Sequence, residues 1–173
     1  VQLANRETGV IQPIAAVSEI VRAAGGIFVV DAVQAAGRMP LNISALGPDF
    51  LILSSHKIGG PKGAGAIIAL SDVLMPEPLI RGGGQEKGHR AGTEALPAIA
   101  GFGAAAKAAA RLVGDARRLA RLRDLAEASV RAIATDAVIH GANAPRLPNT
   151  LFFSIPGVKA ETAQIAFDLA GVA

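Results

Sequence analysis

Apolar residues recur at three- and four-residue steps early in the chain, where Ile14, Val17, Val21 and Ala24 follow Pro13. This spacing predicts an amphipathic helix with proline in its first turn, stopped by Gly25-Gly26. Two compact apolar runs follow: Ile27 to Val30, ending at Asp31, and Phe50 to Leu53, ending at Ser54. Such short continuous runs predict buried parallel strands. A third run, Ala66 to Leu70, comes after a turn rich in glycine (Gly59, Gly60, Gly63, Gly65), and strands this closely spaced also admit partly antiparallel pairing. Val1-Gln2-Leu3 reads as a strand already under way that leads into Asn5.

From Leu96 to about Ala134 the pattern is helical and rich in alanine, and Gly114-Asp115 predicts a break into two helices with Asp115 as an N-cap. Beyond these helices the pattern turns to strands again, separated by a Pro145/Pro148 loop. Val138 to His140 and Thr150 to Ile155 predict two strands, and Lys159 to Leu169 a helix with Ile165, Phe167 and Leu169 among its apolar positions. The order predicts an α/β fold with a mainly parallel sheet over residues 1–95, then linking helices and part of a small α+β unit over 96–173.

Composition sharpens this picture. Half of the 173 residues are apolar, yet only six are phenylalanine and none is tyrosine or tryptophan, which suits closely packed α/β layers. No uninterrupted apolar run approaches the roughly 20 residues that span a bilayer, and the first residues carry no signal pattern, so a soluble, cytoplasmic protein is expected. With no cysteine, disulfides and thiolate metal sites are excluded within the chain, and three scattered histidines predict no metal site. The net charge of +3 is modest. Arg117, Arg118, Arg121 and Arg123 alternate with Asp115, Asp124 and Glu127 as on a solvated helix face, and nucleic acid is not an expected partner.

Polar residues gather where the apolar strands end, which is where open α/β sheets bind ligands. Asp31 and Gln34 follow the first strand; Ser54, Ser55, His56 and Lys57 follow the second. A carboxylate at the end of an apolar strand calls for a cation, and a protonated ring nitrogen would serve; a helix cap or loop aspartate is the plainer alternative. Lys57, between an apolar strand and a glycine-rich turn, is expected to be partly solvated and able to act as a nucleophile, with a surface lysine as the alternative. Together, an acid at one strand end and a lysine at the next match what a pyridoxal cofactor requires: a Schiff-base lysine and an acidic partner for the pyridinium. His140, after a short apolar run, reads as a structural or surface histidine.

At this point the chain resembles the class V aminotransferase-fold enzymes and, within them, the cysteine desulfurases of the NifS/IscS type. The landmarks are Asn5-Arg6-Glu7-Thr8-Gly9, Val30-Asp31-Ala32-Val33-Gln34, Ser54-Ser55-His56-Lys57-Ile58-Gly59-Gly60-Pro61-Lys62-Gly63, Gly82 to Glu94, and Leu147-Pro148-Asn149-Thr150. Each block alone is weak; their order is specific.

The resemblance implies a type I pyridoxal-phosphate transferase fold and a homodimer. It implies that Lys57 forms the internal aldimine, that Asp31 holds the ring nitrogen protonated, and that Gln34 and Asn5 lie near the ring hydroxyl. Ser54 and His56 would contact the phosphate, with Thr93 reaching the phosphate of a partner subunit. L-cysteine would be the substrate, L-alanine the product, and an enzyme persulfide the sulfur carrier, delivered to a sulfur-acceptor or scaffold protein for iron–sulfur cluster assembly. The family's nucleophilic cysteine is absent from this chain, which implies a central piece of a longer polypeptide. A selenocysteine lyase or another class V aminotransferase on the same scaffold, or a non-catalytic fragment, remain as alternatives.

Overall fold

The structure is a computed structural model, and it describes residues 1–172. The first helix, α1 (Ile14–Ala23), starts one residue after Pro13, which takes the cap position rather than the first turn. Gly25 adopts a positive φ of 68°, and the N–H groups of Gly25 and Gly26 donate to the carbonyls of Arg22 and Val21, closing the helix as predicted.

Three strands, β1 (Val29–Asp31), β2 (Phe50–Ser54) and β3 (Gly65–Ala69), form one sheet in that order. β1 and β2 run parallel, with Asp31 opposite Ile52; β2 and β3 run antiparallel, with Ser54 opposite Gly65. The first residues extend the parallel part: Asp31 N–H donates to Val1 O at 2.9 Å and Leu3 N–H to Asp31 O at 2.8 Å. A parallel pair needs a crossover, supplied here by residues 32–49 with the short helix α2 (Ile43–Leu46). Asn42 Oδ1 accepts the Ala45 N–H at its start, and Gly47, at φ 80°, ends it.

The expectation of strands buried on both faces needs correcting. Side chains alternate along a strand, and α1 covers one face alone. Val30 and Leu51, paired across the strands, point into a core with Leu3, Ile14, Phe28 and Leu147. Val29, Ile52 and Ile67 stand on the other face and are exposed.

α3 (Leu96–Leu112) and α4 (Ala116–Ile133) are joined by a single 3-10 turn, Val113–Asp115, so the break is a tightening of one long helical path. Asp115 occupies the N-cap position, but its carboxylate makes no capping bond and lies 3.9 Å from Arg118. The stretch Leu96–Ile133 is long enough for a membrane span, and its most apolar window has a mean hydropathy of 1.3, although no unbroken apolar run in it is that long. Alanine is the commonest residue in that stretch, and Lys107 and Arg111 interrupt its apolar run.

β4 (Val138–Ile139) and β5 (Phe153–Ser154) pair antiparallel, shorter than their apolar runs, and α5 (Ala160–Leu169) follows. His140 is structural: its Nε2 lies 2.7 Å from Ser154 Oγ and its ring is 4.9 Å from that of Phe152. The segment before β5 returns to the start of the chain. Leu147 N–H donates to Gly9 O and Ile11 N–H to Pro145 O, both at 2.8 Å, and Leu147 enters the core.

Candidate active site

Three neighbouring parallel segments, residues 1–3, β1 and β2, end on the same edge of the sheet, and each delivers polar residues there. Asn5 follows the first. Its Oδ1 accepts from the N–H groups of Glu7 and Thr8, both at 2.9 Å, and from Thr8 Oγ1 at 3.1 Å. The oxygen is committed to this turn, so the amide NH2 is the group Asn5 has to offer outward. Gly9, at φ 72°, completes the turn; a Cβ there would lie 2.8 Å from Thr150 Cβ.

Asp31 closes β1. Its Oδ1 accepts the Val33 N–H at 2.9 Å, which turns the chain out of the sheet, and among the described residues its other oxygen has no protein partner. Residues 32–39 then coil in helical turns, with Ala36 N–H on Ala32 O and Met39 N–H on Ala35 O. This coil places Gln34 and Arg38 one turn apart. Arg38 Nη1 donates to Gln34 O at 2.6 Å and to Gln34 Oε1 at 3.1 Å, and Nη2 reaches Lys57 O at 3.5 Å. Burial pushes the Arg38 guanidinium below the usual arginine value.

Ser54 ends β2, and Ser55–Ile58 form a 3-10 turn that carries Lys57. Ser54 Oγ and His56 Nδ1 are 2.9 Å apart, which leaves the exposed ring's Nε2 for a ligand. Lys57 is half-buried, as its position between strand and turn predicts, and its amine makes no hydrogen bond or ion pair among the described residues. The turn rests on α3. Ser55 is fully buried with an unpartnered hydroxyl beside Gly60, and a Cβ on Gly60 would lie 3.1 Å from Ala105 Cβ.

The structure therefore groups Asn5, Asp31, Gln34, Ser54, His56 and Lys57 on adjacent strand ends. Thr93 is not on a strand end: it lies exposed in the loop between β3 and α3, where Arg90 Nη1 donates to Gly92 O at 2.8 Å.

Sequence reasoning missed several supporting residues. Arg38 was legible only as the residue four places after Gln34. The charged face of α4 is anchored rather than solvated at Arg123, whose Nη1 donates to Leu147 O at 2.9 Å, and at Glu127, which is 2.6 Å from Arg146. No periodicity reveals partners nineteen and more residues apart.

A free amine, a carboxylate with an open oxygen, amide donors and a hydroxyl–imidazole pair at the ligand edge of an α/β sheet make a donor set that fits a pyridoxal phosphate. Comparison with known proteins places the chain further. Residues 1–173 match the family described as aminotransferase class-V, and the chain belongs to that family. It is 41% identical to a cysteine desulfurase from Cereibacter sphaeroides over 98% of its length, and 40% identical to the cysteine desulfurase IscS 1 of Archaeoglobus fulgidus over 99%. The NifS-like protein from Rickettsia africae superposes with a TM-score of 0.89 at 39% identity, over 99% of this chain and 48% of that structure. The chain spans less than half the length of these relatives, 43% and 44% of the two desulfurases.

Proposed function

We propose that this chain is the cofactor-holding portion of a pyridoxal-phosphate-dependent cysteine desulfurase, which converts L-cysteine to L-alanine and carries the sulfur away as an enzyme persulfide. The observation that carries this reading is the convergence of Asp31 and Lys57 at neighbouring parallel strand ends, with Asn5 beside them. When bound, pyridoxal phosphate supplies the electron sink for substrate carbon chemistry.

In this reading the Lys57 amine would anchor the cofactor and, when free, would move a proton to and from the substrate α-carbon. Asp31, through its open oxygen, pairs with the ring nitrogen. Gln34 and Asn5 donate near the ring hydroxyl, and Ser54 and His56 contact the phosphate. Thr93 of a second subunit completes the phosphate site in a homodimer, a role that its exposure in the loop between β3 and α3 supports. Residues 1–95 belong to a large cofactor domain and 96–173 to linking helices and part of a small domain.

The chain contains no cysteine. We place the sulfur nucleophile on polypeptide outside these residues, consistent with the share of the relatives that they cover. That thiolate attacks the substrate sulfur, the carbon–sulfur electron pair stays with the carbon, and a proton completes alanine. The protein works in the cytoplasm with a sulfur-acceptor or scaffold protein, and with neither nucleic acid nor membrane as partner. The lack of cysteine also keeps a selenocysteine lyase or another class V aminotransferase as the second reading.

The test uses protein expressed from its complete gene. Added pyridoxal phosphate is expected to give a visible absorption band that Lys57→Ala abolishes, and L-cysteine to yield alanine and reducible sulfur. Turnover of selenocysteine without cysteine would favour the second reading, and a colourless protein would sink both.

A further inference from the structure

We propose that Arg38 is a positioning residue that sets which end of the Gln34 amide faces the cofactor and ties Gln34 to the turn carrying Lys57. The proposal rests on the reading of this edge as a pyridoxal-phosphate site, and it adds a residue that touches neither cofactor nor substrate.

One guanidinium spans both site elements. Nη1 holds Gln34 twice, at its backbone oxygen (2.6 Å) and at Oε1 (3.1 Å), and Nη2 reaches the Lys57 carbonyl at 3.5 Å. Arginine has only donors, so the amide oxygen of Gln34 must turn toward it, and the Nε2 hydrogens must turn away, toward the strand edge. Without that cation, an amide can exchange its two ends at little cost. Arg38 is half-buried and meets only carbonyl oxygens among the described residues, so its charge is held by dipoles and not by a carboxylate. Even a half-buried cation without a counter-charge is costly unless those dipoles are fixed. The same contacts that make Arg38 tolerable thus fix Gln34 and the Lys57 backbone.

Gln34 held this way is a hydrogen-bond donor. A donor facing the phenolic oxygen of the cofactor stabilises its anionic form and eases loss of the neighbouring proton. Removing Arg38 lets the acceptor end of the amide face that oxygen instead. The pH at which the absorption of the bound cofactor changes is therefore expected to rise.

The measurement is the pH midpoint of the visible band, with the cofactor dissociation constant, in the enzyme expressed from its complete gene. Arg38→Met is expected to raise the midpoint by about half a unit to one unit, the worth of one hydrogen bond. Arg38→Lys keeps the charge but lacks the planar fork, and is expected to raise it less while melting at the wild-type temperature. In a Gln34→Met background, Arg38→Lys is expected to add no shift, because the group it orients is gone. Should Arg38→Met fail to fold, Arg38→Lys with and without Gln34→Met decides. A midpoint within about 0.2 unit of wild type in the folded Arg38 variants, or an equal shift with and without Gln34, would overturn the proposal. A wild-type enzyme with no band that depends on Lys57 would instead overturn the functional reading beneath it.

Discussion

Gly60 sits where the Lys57 turn folds back onto α3, and it has no room for a side chain. An added Cβ would collide with Ser55 Oγ and lie 3.1 Å from Ala105 Cβ. Gly60→Ala is expected to cost about 1–3 kcal/mol in denaturant melts. Ser55→Ala removes a buried hydroxyl that has no partner, so it is expected to be neutral or slightly stabilising and to recover part of the Gly60→Ala loss in the double variant. Additive losses would show that the collision is not the cause. At this scale much of the site was legible. Asp31, Gln34, Ser54, His56 and Lys57 stand out because polar residues at the ends of apolar runs are conspicuous. Gly60 was visible only as one glycine among several, since its constraint is a helix more than forty residues away in sequence.

Among the elements, α3 and α4 act as braces. α3 meets the site along Gly101, Ala105 and Ala109, spaced four apart: a Cβ on Gly101 would lie 2.8 Å from the Pro61 ring, and one on Gly37 would lie 3.0 Å from Ala109 Cβ. Small side chains let this helix come close to the Lys57 turn. Ala109→Leu is expected to destabilise by about 1–3 kcal/mol and to weaken cofactor retention, whereas Ala106→Leu on the exposed side stays within about 0.5 kcal/mol of wild type. Thermal melts and cofactor titration check both.

α4 is held by charge. Hydrogen bonds from Arg146, and less from Arg131, hold the Glu127 carboxyl below the usual carboxylate value, partly opposed by burial. Because the folded value is the lower one, this contribution is present above the unfolded value and is lost as pH falls through the folded one. Glu127→Gln is expected to lose about 2 kcal/mol at neutral pH, where Arg146 is left buried without its counter-charge, and to converge with wild type at low pH. Parallel curves across the acid range would disprove the coupling.

At the scale of the whole molecule, one core joins the two ends of the chain. Leu147 is 1% exposed and packs with Leu3, Ile14, Phe28 and Val30, while its backbone bonds to Gly9. Leu147→Ala is expected to cost about 2–5 kcal/mol and to loosen the Asn5 turn along with it, seen as a lowered melting midpoint and faster amide exchange at Thr8 and Val10. A loss confined to residues after 138 would show two independent units. Helices α1, α3, α4 and α5, the apolar strands and the polar residues at the strand ends were legible in the sequence, because these follow from spacing and local chemistry along a short stretch; α2 was not. The sequence also carried the family resemblance, through the order of its motifs. Which strand faces are covered, that β3 pairs antiparallel, that Arg38 and α3 brace the Lys57 turn and that Arg146 pairs with Glu127 all came from the folded chain. Those contacts join residues far apart in the chain, and their energies depend on close approach and burial, quantities that no local pattern encodes.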